Sequence, residues 1–122
     1  MRQVTADIRR AFYAGKKKTS NNTVTDGARV WLHGNMIAEH YKTDTLDGIR
    51  VSLAGWNTVT TRDRVNGLLD SIAPGRFVQR NHGAYFSDWR CEDGKEVLTA
   101  IDPYGVHYFG HDGTVILNHR DD

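Results

Sequence analysis

Histidine is the residue type in this chain that could most readily bind a metal ion or transfer protons. The six histidines are His33, His40, His82, His107, His111 and His119. If residues 112–113 form a two-residue hairpin loop, His107 and His111 share one sheet face and His119 lies on the other. A metal site needs three or four ligands that meet at one point. We therefore predict polar surface histidines and no metal site. The alternative is a small metal-dependent enzyme that uses His107 and His111.

Nucleophilic catalysis has less support in the sequence. Cys91 is the only cysteine, which excludes an internal disulfide, and no cysteine-hydrolase signature surrounds it. No serine lies in a Gly-x-Ser-x-Gly context, and no glycine-rich phosphate loop matches a standard pattern. We predict no catalytic residue and no cofactor.

Positive charge is concentrated near the N-terminus, although the whole chain of 122 residues has a formal net charge of only +1. Residues 1–20 hold six basic side chains and one acidic side chain. Such a segment is suited to neutralise the phosphates of a nucleic acid, and it can also serve only to keep the protein soluble. The predicted phosphate contacts are Arg9, Arg10, Lys16, Lys17 and Lys18, helped by Arg62 and Arg64.

Aromatic side chains are concentrated in the last third of the chain. They are Tyr85, Phe86, Trp89, Tyr104, Tyr108 and Phe109. Neighbouring residues of a strand point to opposite faces of the sheet, so one member of each adjacent pair must leave a one-sided core. Side chains that leave it could stack on nucleobases, contact a protein, or be covered by helices or a second subunit. For a protein partner, the predicted contact surface consists of Tyr85, Trp89 and Tyr108.

Two segments, residues 4–14 and residues 59–73, show the apolar periodicity of amphipathic helices. Hydroxyl groups that could cap the second helix are available at Thr58, Thr60 and Thr61. Arg62 and Arg64 fall in its first turns, where the helix dipole disfavours a cation. Either both arginines pair with acidic groups elsewhere, or Arg62 and the helix N-terminus hold a phosphate together.

The remainder of the chain has the pattern of short strands joined by tight turns. The turn candidates are Asp26-Gly27, Gly34-Asn35, Asp47-Gly48, residues 81–83, Asp93-Gly94 and Asp112-Gly113. We predict an α+β fold in which an antiparallel β-meander sheet packs against an N-terminal helix and a central amphipathic helix. Three strands are expected before the central helix and four or five after it. One domain is expected over residues 1–122, with a basic helix and loop over residues 1–22 and a β-rich body over residues 23–122.

Two stretches of the sequence resemble a group of small bacteriophage proteins. They are LHGNMIA at residues 32–38 and AGWNTVTTRDRVNGLL at residues 54–69. In that group, an LHGN-x-IA hairpin precedes a GW-x-T-x-TT-[RK]-[ED]-R-[LV]-N junction between a strand and a helix. Gly55 is expected to bend the chain and Trp56 to pack against the core. The resemblance covers about residues 4–70, and it implies a phage origin but no particular chemistry.

These features favour a non-enzymatic phage accessory protein that acts by binding. Its predicted target is nucleic acid or a nucleotide, bound through the basic N-terminal segment. The alternative is a modulator or inhibitor of a host protein, either a defence system or a host enzyme, that binds through the aromatic surface; a virion component is a further alternative. No apolar stretch could cross a membrane and no signal-peptide core is present, so we expect the host bacterial cytoplasm. A homo-oligomer is left open.

Overall fold

The computed structural model describes residues 2–90 and 94–119. Within these residues the chain forms two helices and ten strands. In chain order they are α1 (Gln3–Tyr13), β1 (Lys18–Ser20), β2 (Thr23–Thr25), β3 (Arg29–Leu32), β4 (Asn35–Lys42), β5 (Asp47–Val51), α2 (Val59–Leu69), β6 (Gly75–Arg80), β7 (Gly83–Asp88), β8 (Val97–Ala100), β9 (Val106–Gly110) and β10 (Val115–His119). Neither of these two helices is long and apolar enough to cross a membrane.

The strands form two antiparallel sheets, which confirms the α+β fold class. The larger sheet has seven strands in the order β1-β2-β3-β4-β5-β9-β10, and the smaller has three in the order β6-β7-β8. The prediction of a single sheet with three strands before the central helix is therefore wrong. Five strands precede α2, and β9 pairs with β5. Alternation and turn signals specify each hairpin locally, but they do not specify which sheet it joins.

The core lies between one face of the seven-stranded sheet and a second layer formed by the helices and the three-stranded sheet. Phe77 and Phe86 of the smaller sheet contact Phe109 of the larger one, with ring centroids 6.1 and 5.4 Å apart. Phe12 of α1 and Leu68 of α2 are buried in the same apolar cluster. This shared burial stabilises both helices, because helices of this length are marginal in isolation.

The first predicted helix is present as α1. Its buried side chains are Thr5, Ile8 and Phe12. The Tyr13 hydroxyl donates to the carbonyl oxygen of Leu68 at 2.5 Å, which attaches the end of α1 to α2. Gly15 then adopts a left-handed φ of +69°, so the chain turns sharply from the helix into the basic residues.

The second predicted helix is present as α2, but it ends at Leu69 instead of residue 73. Beyond Leu69 the chain continues as a tight turn, in which the backbone N–H groups of Ile72 and Ala73 donate to the carbonyl of Leu69 at 3.0 and 2.9 Å. Of the three predicted capping hydroxyls, the structure uses that of Thr58. Its oxygen accepts a hydrogen bond from the backbone N–H of Thr61 at 3.2 Å.

Among the described residues, the predicted turns are present at or beside the predicted glycines, with one exception, and the turns between β1 and β2 and between β4 and β5 were not predicted. In the β3–β4 hairpin the left-handed turn residues are His33 and Gly34, at φ +51° and +80°, one residue earlier than predicted. The predicted turn at residues 47–48 is wrong, because both residues lie inside β5. A side chain at Gly48 would collide with the carbonyl of Phe109, so glycine at this position permits the close approach of β5 and β9. The pair at residues 93–94 lies partly outside the described residues.

Candidate nucleic-acid interface

The basic segment leaves the end of α1 and enters β1, which is an edge strand of the seven-stranded sheet. Gly27, in the turn between β2 and β3, has a left-handed φ of +92° and packs against Gly15 and Lys16. A Cβ added at Gly27 would lie 2.5 Å from the carbonyl carbon of Gly15, so glycine is required there. This contact positions the backbone of the segment, while the side chains of Lys16, Lys17 and Lys18 are exposed.

The charges of these three lysines are not neutralised by any carboxylate among the described residues. In the part of the chain that the structure describes, none of them forms an ion pair. The adjoining turn carries Asp26, whose Oδ1 accepts hydrogen bonds from the backbone N–H groups of Ala28 and Arg29 at 2.8 and 2.7 Å. These bonds lower the pKa of Asp26 and turn its carboxylate towards its own backbone. The lysines therefore present an exposed positive surface.

The two arginines of α1 that were predicted to bind phosphate differ in exposure. Arg10 is exposed in the last turn of the helix. Arg9 is half-buried, and its guanidinium lies 5.5 Å from the centre of the Tyr13 ring, within the range of a cation–π contact. Its Nε is buried, with no hydrogen-bond partner among the described residues. Arg10 is thus better placed than Arg9 to extend the lysine surface.

Arg62 is half-buried in the first turn of α2. Its Nη1 donates to Oδ1 of Asn57 at 2.5 Å, and its Nη2 lies 3.4 Å from Oε1 of Gln79. Burial lowers the pKa of Arg62. Both partners are neutral amides, so the positive charge of Arg62 is not cancelled by either of them. The pairing of Arg62 with an acidic group, one of the two sequence-based alternatives, is not found among the described residues.

Arg64 points into the protein instead of towards solvent, and only 3% of it is exposed. Its Nε donates to the Thr23 hydroxyl at 2.9 Å, and its Nη1 donates to the Thr5 hydroxyl at 2.9 Å and to Asp63 at 2.8 Å. The guanidinium therefore joins α1, β2 and α2. Because the guanidinium is buried and bound to these groups, the expected phosphate contact of Arg64 is corrected to a structural role.

The predicted aromatic contact surface is not assembled. Tyr108 is only 5% exposed, and its ring lies against Tyr41 and His119, at centroid distances of 4.9 and 5.2 Å. Trp89 is 55% exposed and Tyr85 is half-buried, but both belong to the region of the three-stranded sheet. Tyr108 thus lies on the larger sheet and is covered, whereas Tyr85 lies on the smaller sheet and Trp89 directly follows one of its strands. A surface that includes Tyr108 is therefore ruled out in this conformation.

The C-terminal histidines do not converge. His107 is fully buried in β9, whereas His111 is exposed in the turn that follows. A register shift between β9 and β10 places Asn118 in a left-handed conformation, and its backbone N–H donates to Nδ1 of His107 at 2.9 Å. Within residues 2–90 and 94–119, no group of three or more histidine, cysteine, aspartate or glutamate side chains could hold a metal ion. Cys91 lies outside the described residues.

A cleft of about 510 Å³ beside the N-terminus of α2 was not predicted from the sequence. Its lining residues are Leu32, His33, Asn35, Ile37, Leu53, Ala54, Trp56, Thr58, Thr60 and Thr61. Most of them belong to the two stretches, residues 32–38 and 54–69, that carry the resemblance to phage proteins. Trp56 was expected in the core, but it is 58% exposed at this cleft. The concentration of the resemblance in these two stretches is the sequence signal that could have located the cleft.

The chain matches a known protein family over most of its length. The family model described as Kyanoviridae Gp96 protein covers residues 1–109, and so it extends well beyond the stretches that carry the sequence resemblance. No curated protein and no solved structure matches the chain. Kyanoviridae are bacteriophages, so the predicted phage origin is confirmed. The chain belongs to the Kyanoviridae Gp96 protein family.

Proposed function

We propose that this phage-encoded protein is a non-enzymatic binding protein for nucleic acid or nucleotide that acts in the host bacterial cytoplasm. Its phosphate contacts are Lys16, Lys17 and Lys18, with Arg10 beside them and Arg62 as a further cation. The observation that carries the proposal is the exposed lysine segment, which is positioned by the Gly27 turn and forms no ion pair in the described part of the chain. Arg64 takes no part, because its charge is used inside the protein.

Binding of this kind is driven by the release of counterions from the phosphate backbone, and so it depends steeply on salt. Lysine side chains contact phosphates as point charges and do not read base edges, so little sequence preference is expected from this segment. On single strands, each neutralised phosphate contributes about 0.7 to the slope of log K against log salt. Loss of two contacts should therefore lower the slope by about 1.4 and the affinity at 0.1 M salt by about 25-fold.

The test is fluorescence anisotropy of a labelled oligonucleotide titrated with protein over a series of salt concentrations. The variant Lys17→Ala/Lys18→Ala is compared with Arg76→Ala/Arg80→Ala, which removes the same charge from exposed positions on β6. We expect the loss of affinity and the shallower salt slope in the lysine variant alone. Equal losses in both variants would overturn the assignment to the lysine segment. Absence of binding to any oligonucleotide would overturn the proposed function.

A host protein as the target is the second candidate, and a specific observation favours it. Trp89, Val97 and Leu98 are exposed apolar side chains in the region of the three-stranded sheet, where β8 is an edge strand. Edge strands with exposed apolar residues are suited to pair with another chain. A stoichiometric host partner that survives nuclease treatment, is lost with Trp89→Ala and is kept by Lys17→Ala/Lys18→Ala would favour this candidate over nucleic acid.

A further inference from the structure

The cleft beside Trp56 combines an aromatic wall, an apolar floor and a polar rim. The floor is formed by the buried side chains of Leu32, Ile37 and Leu53. The rim carries an imidazole, an amide and hydroxyl groups, from His33, Asn35, Thr58 and Thr60. A half-exposed indole above an apolar floor offers a stacking surface, and the rim offers hydrogen-bond donors and acceptors. These are the features that hold a flat heterocycle with polar edges.

The two loops that border the cleft are held in left-handed backbone conformations. On one side His33 has a φ of +51°, and on the other Ala54 and Gly55 have φ values of +53° and +85°. The second loop is fixed by the ring of Tyr104, which packs where a side chain on Gly55 would lie, and by a hydrogen bond from the Gly55 N–H to the Pro103 carbonyl at 2.8 Å. Residues other than glycine rarely adopt this conformation unless their surroundings impose it. The cleft is thus preformed, which reduces the entropy lost when a ligand binds.

The charge around the cleft is compatible with a ligand that carries phosphate. No aspartate or glutamate is among the described residues that line it. The first turn of α2 forms one edge, and the free backbone N–H groups of a helix N-terminus carry partial positive charge. A phosphate attached to a bound base would therefore meet no repulsion from these residues.

The β1–β2 turn links the lysine segment to the cleft through backbone contacts. The backbone N–H of His33 donates to the carbonyl of Asn22 in that turn at 3.0 Å. In the sheet register Lys18 pairs with Thr25, and Thr23 pairs with Leu32 at the cleft. With strands about 4.8 Å apart and a rise of about 3.3 Å per residue, the Cα atom of Lys18 lies about 12 Å from that of Leu32. This distance is short enough for one strand of a few nucleotides to reach both the lysines and the cleft.

We infer that this cleft binds an unstacked base of a single-stranded nucleic acid, and that the phosphates of the same strand lie on the lysine segment. The inference rests on the proposed nucleic-acid binding, and it adds a second contact surface and the strand state of the target. Stacking on an aromatic side chain tolerates every base, so the site distinguishes a strand with bases from one without them. Duplex DNA, whose bases remain paired and stacked, binds through the lysines alone.

The experiment compares two labelled probes of ten nucleotides, an oligothymidylate and an abasic oligomer with the same sugar-phosphate length. The wild-type chain should prefer the oligothymidylate by about tenfold, the typical value of one stacked base. Trp56→Ala should remove this preference, whereas Trp56→Phe, which keeps a stacking ring, should retain most of it. Trp89→Ala is the matched control, because Trp89 is similarly exposed and lies outside the cleft. Circular dichroism checks that each variant is folded.

The lysine variant separates this inference from the proposed function. Lys17→Ala/Lys18→Ala should weaken both probes by the same factor and leave the preference for oligothymidylate intact. Equal affinity of the wild-type chain for the two probes, or a preference that persists in Trp56→Ala, would overturn the base site while leaving phosphate binding standing. Unchanged affinity in the lysine variant, with the preference lost in Trp56→Ala, would support the base site and overturn the lysine assignment.

Discussion

Acidification from pH 8 to pH 5 is expected to destabilise the protein through His107. This side chain has 0% exposure, and its ring centroid lies 5.3 Å from that of Phe77. Its Nδ1 accepts the hydrogen bond from Asn118, so the neutral ring carries its proton on Nε2, which has no partner at hydrogen-bond geometry among the described residues. Burial lowers the pKa of His107 from 6.5 to about 4, and the carbonyl and charge of Asp102 oppose only part of this shift.

The sign of the effect follows from the lowered pKa. The folded state disfavours the protonated ring, so the free energy of unfolding is highest above about pH 6.5 and falls as the pH drops towards 4. Relative to pH 8, the two pKa values give a loss of about 0.8 kcal/mol at pH 6 and about 2 kcal/mol at pH 5. With an unfolding entropy of about 2.1 cal/mol/K per residue, the loss at pH 5 lowers Tm by about 8 °C.

The assay is thermal unfolding, followed by circular dichroism, of the wild-type chain and a His107→Gln variant at pH 8, 6 and 5. Glutamine does not titrate, and its side-chain oxygen can accept a hydrogen bond from Asn118. All other titrating groups are present in both chains, so the difference between the two pH profiles isolates His107. We expect Tm of the wild-type chain to fall by about 8 °C more than Tm of the variant. Equal falls would refute the buried neutral state of His107, as would an NMR titration of its ring in the folded protein near pH 6.

Two further predictions concern the buried Arg64 and the turn residue Gly27. Arg64→Ala is expected to lower the free energy of unfolding by about 3 kcal/mol, because the hydroxyls of Thr5 and Thr23 lose their buried hydrogen-bond donor. Arg62 is only half-buried, so Arg62→Ala should lower the free energy of unfolding by less than about 1 kcal/mol. Urea unfolding of the two variants checks this, and similar losses would contradict the assignment of Arg64 to the interior. Gly27→Ala is expected to lose about 2 kcal/mol or more, because its left-handed backbone and its contact with Gly15 exclude a side chain. The same substitution should weaken oligonucleotide binding, and unchanged Tm and affinity would show that this turn does not position the lysines.

The hairpins of the fold could be predicted from the sequence, but the pairing of distant strands could not. Turn residues and alternation act between neighbours in the chain, and these signals located most turns to within one residue. The pairing of β5 with β9 joins Gly48 to Gly110, and the entire region of α2 and the three-stranded sheet lies between them in sequence. Gly48 follows an aspartate, so its local pattern is that of a turn. Its actual constraint is the carbonyl of Phe109, which no local pattern contains.

The charged residues of the interface show the same division between local and distant information. The exposure of the three lysines could be predicted, because they follow the last apolar position of α1 and form a run of charge that continues into a short polar strand. The burial of Arg64 could not, because charge alone places an arginine at the surface. Its acceptors on Thr5 and Thr23 lie 59 and 41 positions away in the chain. A guanidinium can be buried only where such acceptors meet it, so its role depends on tertiary contacts that α2 alone does not specify.

The prediction that Trp56 packs against the core is wrong for a different reason, because here the local backbone conformation determines the position of the side chain. A tryptophan beside a strand is usually assigned to the core, because its indole is the largest apolar side chain. Here the neighbouring Leu53 already fills the core position, and Gly55 turns the chain in a left-handed conformation before the indole. Thr58 then begins α2 from an extended conformation, so the chain enters the helix with Trp56 at the rim of the cleft. The exposure of Trp56 therefore follows from backbone conformations on both sides of it, and this local geometry makes the indole available to a flat ligand.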